Sequence, residues 1–174
     1  LLDRDGVLNV DHGYVGRPED FEWTPGVIEA LGRLQQAGFA LVVVTNQSGI
    51  ARGYYTEAQY RALADWMAAA LEREGVHLSA QYHCPHLADA PLAQWRLRCN
   101  CRKPAPGMIV RALADLRLDA AASWIFGDKP SYLQAGWAAG LRRRGHTVRT
   151  DADLAGHAHA IVRSPDGRLA GAAD

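Results

Sequence analysis

Apolar positions along this chain switch repeatedly between a strand-like and a helix-like period. Leu1 and Leu2 read as the end of a short apolar strand that gives way to polar residues at Asp3. After Pro25-Gly26, residues Val27, Ile28, Leu31 and Leu34 recur at helical spacing, and Gly38 closes that segment. Phe39-Ala40-Leu41-Val42-Val43-Val44-Thr45 is a continuous run suited to a strand buried on both faces. Thr56-Glu57-Ala58-Gln59 has the capping-box pattern, which opens a helix through about Glu74 with Gly75 placed to end it. A weaker strand near Ala80 to His83 precedes an irregular stretch. A helix is predicted from about Gly107 to Leu116, then a strand at Ser123 to Phe126 running into Gly127-Asp128, then a helix to about Ala139. Strands separated by helices predict an α/β fold with a doubly wound, mainly parallel, Rossmann-like sheet.

At 174 residues the chain suffices for one well-buried core, so a single domain over 1–174 is expected. Its last part, 141–174, is weakly patterned. Leu141 to Val148 offers little apolar material for a fifth strand, and Pro165 and Gly167 interrupt the tail where a closing helix would run. The formal net charge is zero, which gives no whole-molecule field to attract nucleic acid or an anionic membrane; Arg142-Arg143-Arg144 is too short to change that. The longest strongly apolar stretch, Phe39 to Val44, is far below bilayer-spanning length, and no signal-peptide pattern precedes the domain, so a cytoplasmic location is expected. No heptad or exposed apolar stripe is apparent, and the expected state is a monomer. Leu1 is not an initiator methionine, and only two apolar residues precede Asp3 where a buried strand normally has about five, so part of that strand is expected to be missing.

Asp3, Thr45 and Asp128 each fall at the C-terminal end of a predicted strand, where sheets of this kind bind ligands. Taken singly, Asp3-Arg4-Asp5-Gly6 is a turn, Thr45 a strand-end hydroxyl and Lys103 a surface lysine. Together they describe a crevice whose carboxylates require a cation. Hard oxygen donors favour Mg²⁺, which completes its shell with water and phosphate, so phosphoryl chemistry is implied, with Thr45 and Lys103 stabilising phosphoryl oxygens.

A second group uses all three cysteines of the chain: Cys84-Pro85-His86 and Cys99-Asn100-Cys101. One histidine and three thiolates match a closed tetrahedral Zn²⁺ site, structural rather than catalytic, that would fold a loop over about 84–101. A disulfide would leave an odd cysteine. His83 is a competing ligand, although the spacing of His86 fits a knuckle better. Arg102-Lys103-Pro104 follows Cys101 directly, so a zinc-fixed loop would deliver two cations to the phosphate pocket.

These strings together carry a resemblance. Leu2-Asp3-Arg4-Asp5-Gly6-Val7-Leu8-Asn9, Thr45-Asn46-Gln47-Ser48-Gly49-Ile50-Ala51-Arg52-Gly53, the loop ending Cys-x-Cys-Arg-Lys-Pro, and Gly127-Asp128-Lys129 resemble the haloacid dehalogenase (HAD) superfamily. Within it they are similar to the D-glycero-D-manno-heptose 1,7-bisphosphate 7-phosphatase family, from Leu1 to about Gly140, with the similarity thinning beyond. The resemblance implies a phosphomonoesterase that removes the C7 phosphate and leaves heptose 1-phosphate for lipopolysaccharide inner-core synthesis. It implies that Asp3 is the nucleophile, forming an aspartyl-phosphate, and that Asp5 protonates the leaving oxygen and later deprotonates water. Negative charge beside Asp5 is expected to push its carboxyl toward the protonated form. Mg²⁺ would be held by the side chains of Asp3 and Asp128 and the backbone carbonyl of Asp5. Asp11, His12, Gly13, Tyr14, Asn46, Gln47, Ser48, Arg102 and Lys129 correspond to substrate contacts, and Arg52 to a clamp on the distal C1 phosphate. Two other readings stay open. Histidinol-phosphate phosphatase shares the nucleophile and the zinc loop. A zinc-stabilised binding module with weakened catalysis is the other, because Tyr132 stands where the family pattern has an acidic residue four positions after the metal-binding Asp128.

Overall fold

Val42, Val43 and Val44 are wholly buried at the centre of a parallel sheet, and their alternation assigns its two faces. The computed structural model describes residues 1–141 and the backbone of two short strands, 161–163 and 169–171. Strand β1 (Leu41–Asn46) pairs in parallel with β2 (Leu78–Cys84), setting Thr45 opposite His83 and Asn46 opposite Cys84. On the other side of β1, Leu2 forms a parallel bridge to Val43, and Phe126 a parallel bridge to Leu2. The spatial order is therefore 78–84, 41–46, Leu2, Phe126, or third, second, first, fourth segment along the chain. The order reverses between Leu2 and Phe126, which places the switch point beside Asp3 and Asp128.

Helices cover both faces, as parallel sheets require. On the Val43 face, α1 (Val27–Gln36) contributes Val27, Leu31 and Leu34, and Leu63, Met67 and Leu71 come from a longer helix, Glu57–Arg73. The Val42 and Val44 face packs on Met108, Ile109 and Ala112 from Gly107–Asp115, with Ala135 from Pro130–Ala138. A five-residue helix that the periodicity does not reveal, Ser48–Arg52, follows β1, and these helices are numbered α2 (48–52), α3 (57–73), α4 (107–115) and α5 (130–138). The capping box of α3 is complete: Gln59 N donates to Thr56 Oγ1 at 3.1 Å and Thr56 N to Gln59 Oε1 at 2.7 Å.

Two expectations are corrected. The first and fourth segments contribute single bridges rather than ladders, because the backbone contact is only a few hydrogen bonds long, among them Asp3 N to Phe126 O at 3.0 Å and Phe126 N to Leu1 O at 2.9 Å. β1 starts at Leu41; Phe39 and Ala40 are exposed ahead of it. The residues flanking the Pro165-Gly167 stretch are extended, with β3 (Ile161–Arg163) antiparallel to β4 (Leu169–Gly171). The expected fifth strand over 141–148 lies, apart from Leu141, outside the described residues, as does Arg142-Arg143-Arg144. Among the described residues no helix is long and apolar enough to cross a membrane.

Candidate active site

The chain leaves the first sheet segment at Asp3 and turns at Gly6, whose φ of +82° suits a residue without a side chain. A Cβ on Gly6 would lie 2.6 Å from Asp128 Oδ2, so the glycine lets Asp128 close on the loop that carries Asp3 and Asp5. The three carboxylates thus share the mouth of the sheet. Burial raises the Asp128 carboxyl above its ordinary range; Lys129 opposes the rise and the Asp3 charge adds to it. A divalent cation would relieve both effects, and two carboxylates with a backbone carbonyl are the hard oxygen donors that Mg²⁺ takes.

Asp3 is 2% exposed and is met by Lys103, whose Nζ donates to Asp3 Oδ1 at 3.1 Å and also to the Val44 carbonyl. Lys103 is equally buried, and burial pulls its ammonium down to about 8 despite the charges of Asp3, Asp128 and Asp5. Its backbone is pinned by Asn46: Asn46 Nδ2 donates to Lys103 O at 3.1 Å, and Lys103 N to Asn46 Oδ1 at 3.0 Å. Tyr132, 4% exposed, lies beneath the ammonium, with Nζ 3.6 Å from its ring centroid. Burial first, and then the Asp3 charge, push the Tyr132 hydroxyl well above the ordinary phenol range.

Asp5 is held by its sequence neighbour Arg4. Arg4, 1% exposed, donates through Nη2 and Nε to Asp5 Oδ1 at 2.8 and 3.1 Å, while a further Nη2 bond reaches the Val15 carbonyl at 2.6 Å. Asn9 Nδ2 donates to Oδ1 at 3.2 Å and Gln47 Nε2 to Oδ2 at 2.9 Å. Asp5 therefore meets the positive charge of Arg4 as well as the neighbouring carboxylates, a partner that the sequence reading did not include. Gln47 also donates to Thr45 Oγ1 at 2.9 Å, tying the hydroxyl at the end of β1 to the same network.

Around this centre lie the remaining residues singled out by sequence. Lys129 Nζ reaches Asp11 Oδ2 at 3.2 Å and Asp128 Oδ2 at 3.7 Å; burial would lower its ammonium, but these carboxylates raise it above the ordinary value. Gly13 N donates to Asp11 Oδ1 at 3.0 Å, and Gly13 and Tyr14 both have positive φ, turning the exposed Tyr14 ring outward against Tyr54, 4.7 Å between centroids. The Arg52 guanidinium lies over the Tyr14 ring at 5.8 Å. His12 Nε2 lies 2.7 Å from Glu22 Oε2, and Ser48 opens α2. Asn46 and Gln47, expected as substrate contacts, spend their amides on Lys103, Asp5 and Thr45.

At the end of β2, Cys84 Sγ lies 3.1 Å from Cys101 and 3.6 Å from Cys99, with His86 Nδ1 3.4 Å from Cys101 and 3.7 Å from Cys84. All four ligand atoms fall within 4.8 Å of one another, close to the sulfur separations of about 3.8 Å that tetrahedral Zn–S bonds imply. Burial pushes the Cys84 thiol up, and a zinc ion would supply the charge its thiolate needs. His83 is excluded from this group; its ring packs on Tyr60 at 4.3 Å instead. The cluster is tied to the carboxylates through Gln47 N to Cys84 O at 2.8 Å, and Arg102 Nη1 returns to His86 O at 3.2 Å.

Arg4, Asn9 and Tyr55 belong to this hydrogen-bond network, and the sequence reading did not single them out. Arg4 carries a signal, a charged residue embedded between Leu2 and Leu8, but its partner cannot be read from spacing. Tyr55 OH donates to Gln47 Oε1 at 2.5 Å.

Comparison with known proteins agrees with this geometry. The polynucleotide kinase 3 phosphatase family profile matches residues 5–167. The chain is 46% identical to a D-glycero-beta-D-manno-heptose-1,7-bisphosphate 7-phosphatase of Photorhabdus laumondii, covering 94% of this chain and 89% of that one, so similarity runs past Gly140. Among solved structures, a Mesorhizobium loti protein described as a HAD-like phosphatase aligns with a TM-score of 0.75 at 39% identity over 80% of this chain and 66% of that one. A D,D-heptose 1,7-bisphosphate phosphatase of B. bronchiseptica, solved with magnesium and phosphate, aligns with a TM-score of 0.71 at 39% identity over 80% of this chain and 74% of that one. With a switch-point carboxylate site, a four-ligand Cys/His cluster and similarity across most of its length, the chain is a HAD-like phosphatase belonging to the D-glycero-beta-D-manno-heptose-1,7-bisphosphate 7-phosphatase family.

Proposed function

We propose that the chain hydrolyses the C7 phosphate ester of D-glycero-β-D-manno-heptose 1,7-bisphosphate, releasing phosphate and heptose 1-phosphate. One observation carries the reading: Asp3, buried at the switch point, has one carboxylate oxygen held by the ammonium of Lys103, with Asp128 and Asp5 alongside. Asp3 attacks phosphorus, and the bond from phosphorus to the C7 oxygen breaks as Asp5 gives that oxygen a proton. Lys103 Nζ and Thr45 Oγ1 hold the phosphoryl oxygens. Asp5 then takes a proton from the water that attacks the aspartyl-phosphate. Mg²⁺, held by the Asp3 and Asp128 carboxylates and the Asp5 backbone carbonyl, would supply the positive charge that offsets the phosphoryl oxygens.

Substrate contacts beyond the reacting phosphate fall to Asp11, His12, Gly13, Tyr14, Ser48, Arg102 and Lys129, with Arg52 placed for the C1 phosphate. Zn²⁺ on Cys84, His86, Cys99 and Cys101 would fix the loop that presents Arg102 and Lys103. The same reading makes the protein a cytoplasmic monomer that contributes to lipopolysaccharide synthesis.

Steady-state phosphate release tests it. Hydrolysis of heptose 1,7-bisphosphate should require Mg²⁺, exceed that of histidinol phosphate in kcat/KM, and vanish in Asp3→Asn, because an amide is a poor nucleophile and metal ligand. Activity that survives Asp3→Asn refutes the aspartyl-phosphate route, and faster turnover of histidinol phosphate refutes the substrate.

A further inference from the structure

Tyr55 follows α2, two residues beyond its closing Gly53. Its ring fills a slot between two glycines and is 7% exposed. A Cβ on Gly16 would lie 2.5 Å from Tyr55 Cδ1, and one on Gly49 would lie 2.5 Å from Cζ and 2.6 Å from the hydroxyl oxygen. Neither position admits a side chain while the ring is there, so the slot and the ring define one another. Ile50, Tyr60 and Ala64 complete the packing. From this fixed ring the hydroxyl donates to Gln47 Oε1 at 2.5 Å.

The consequence lies at the other end of the amide. A glutamine in a buried site can be turned either way round, and its partners decide. The Tyr55 hydroxyl takes the oxygen of Gln47, which aims Nε2 at Asp5 Oδ2 and Thr45 Oγ1, both at 2.9 Å. Gln47 is itself 1% exposed, so no water substitutes for the lost partner. Arg4 and Asn9 hold the other carboxylate oxygen, Oδ1, and Arg4 Nη2 also reaches Oδ2 at 3.1 Å, so Gln47 shares Oδ2 with Arg4 and is the group that joins it to the end of β1.

We infer that Tyr55 is a positioning residue for the acid/base step, acting through Gln47 to fix the direction of the Asp5 carboxylate. The inference rests on the assignment of Asp5 as proton donor made above. It makes a distinction that a merely structural tyrosine does not. An alkoxide leaving group needs the proton from Asp5, whereas a nitrophenolate leaves without one. Asp5 also serves both substrates alike as base in the later hydrolysis, so the comparison is made in kcat/KM, which reports only the step that expels the leaving group, and there a misdirected Asp5 slows the sugar phosphate selectively.

The test is Tyr55→Phe, which keeps the ring in its slot and deletes only the hydroxyl, assayed with heptose 1,7-bisphosphate and with p-nitrophenyl phosphate. The expected result is a fall of about 10-fold or more in kcat/KM for the sugar phosphate, with kcat/KM for the aryl phosphate lowered less than about 3-fold. Equal losses on both substrates, or no loss on either, overturn the inference. Should the variant lose its cooperative melting transition, Gln47→Met is read by the same comparison: a rise in the ratio of aryl to sugar kcat/KM supports the relay, and an unchanged ratio overturns it. Asp3→Asn separates the two levels. If it abolishes both activities while Tyr55→Phe slows them equally, the relay falls and the phosphatase mechanism stands; if Asp3→Asn remains active, the mechanism itself falls.

Discussion

Lys103 is held between Asp3 and Tyr132: its ammonium is 3.1 Å from the Asp3 carboxylate and 3.6 Å from the centroid of the Tyr132 ring. The aromatic face supplies attraction without a second formal negative charge, which leaves Asp3 as the ammonium's ion-pair partner in the buried site. A phenol beneath the cation also differs from a carboxylate in what it offers the metal. It provides no anionic acceptor for metal-bound water, the outer contact through which ligated sites commonly gain affinity.

Tyr132→Asp should therefore tighten Mg²⁺. The Mg²⁺ concentration giving half-maximal phosphate release is expected to fall by about 10-fold, within the range typical of such outer contacts. The same substitution removes the ring under Lys103, so kcat at saturating Mg²⁺ is expected to fall modestly. A Mg²⁺ titration of both proteins measures the two effects apart, and an unchanged half-maximal concentration would mean that Tyr132 is neutral toward the metal.

The low position of Lys103 gives a pH prediction. Its ammonium titrates near 8 in the fold, against an ordinary 10.5. Phosphoryl stabilisation needs the charged form, so kcat/KM should carry an alkaline limb near pH 8, and a bound divalent cation would shift that limb to lower pH. Lys103→Arg, which cannot deprotonate in this range, should lose the limb even where its rate is lower. On stability the sign is opposite. Between about pH 8 and 10.5 the unfolded chain binds the proton that folded Lys103 has released, so this residue makes stability rise with pH there. Tyr55, raised from 10 to about 12 by burial, works the other way above pH 10, as do Tyr60 and Tyr132, which burial also raises, because the unfolded chain loses these protons first. Thermal unfolding across pH 8 to 11, with and without Lys103→Met, resolves the two.

The main chemistry was legible because it is carried by short strings. Asp3 and Asp5 sit in one turn, and Cys84, His86, Cys99 and Cys101 come as two close pairs, so spacing alone brought them together. What escaped was compensation across distance. Arg4 meets Val15, and Tyr55 meets Gln47 and Gly16, through contacts fixed only when the loops pack. The ties made by Asn46 and Gln47 were hidden for the same reason: in sequence an amide beside Thr45 reads equally as a substrate contact or as an internal tie, and its partners are set only when the loops pack. α2 was missed because five residues bear too little periodicity to be seen.

Arg4→Met probes one such hidden contact. Arg4 is buried and its loss leaves the Asp5 carboxylate without its counter-charge, so destabilisation of about 3–5 kcal/mol is expected. Asp5→Asn should recover part of that loss. A cycle of Arg4→Met, Asp5→Asn and the double variant in urea unfolding is expected to give a coupling of about 1.5 kcal/mol or more; strictly additive effects would show that the pair is not energetically joined.

Zinc removal tests how the loop serves the site. The Cys/His cluster joins the end of β2 to the segment that delivers Lys103, and few apolar residues in 84–101 are buried, Cys84 and Ala90 among them. Withdrawal of the ion with a mild chelator should lower Tm by about 10 °C or more, since the binding free energy of a structural zinc is lost from the folded state. Activity should decline with the ion even below the melting transition, because the backbone of Lys103 is set by the loop as well as by Asn46. Cys99→Ser should reproduce both effects without chelator, and added Mg²⁺ should restore neither. A melting curve and a rate that both survive chelation would show that the four ligands merely pack together and that Lys103 is positioned by Asn46 alone.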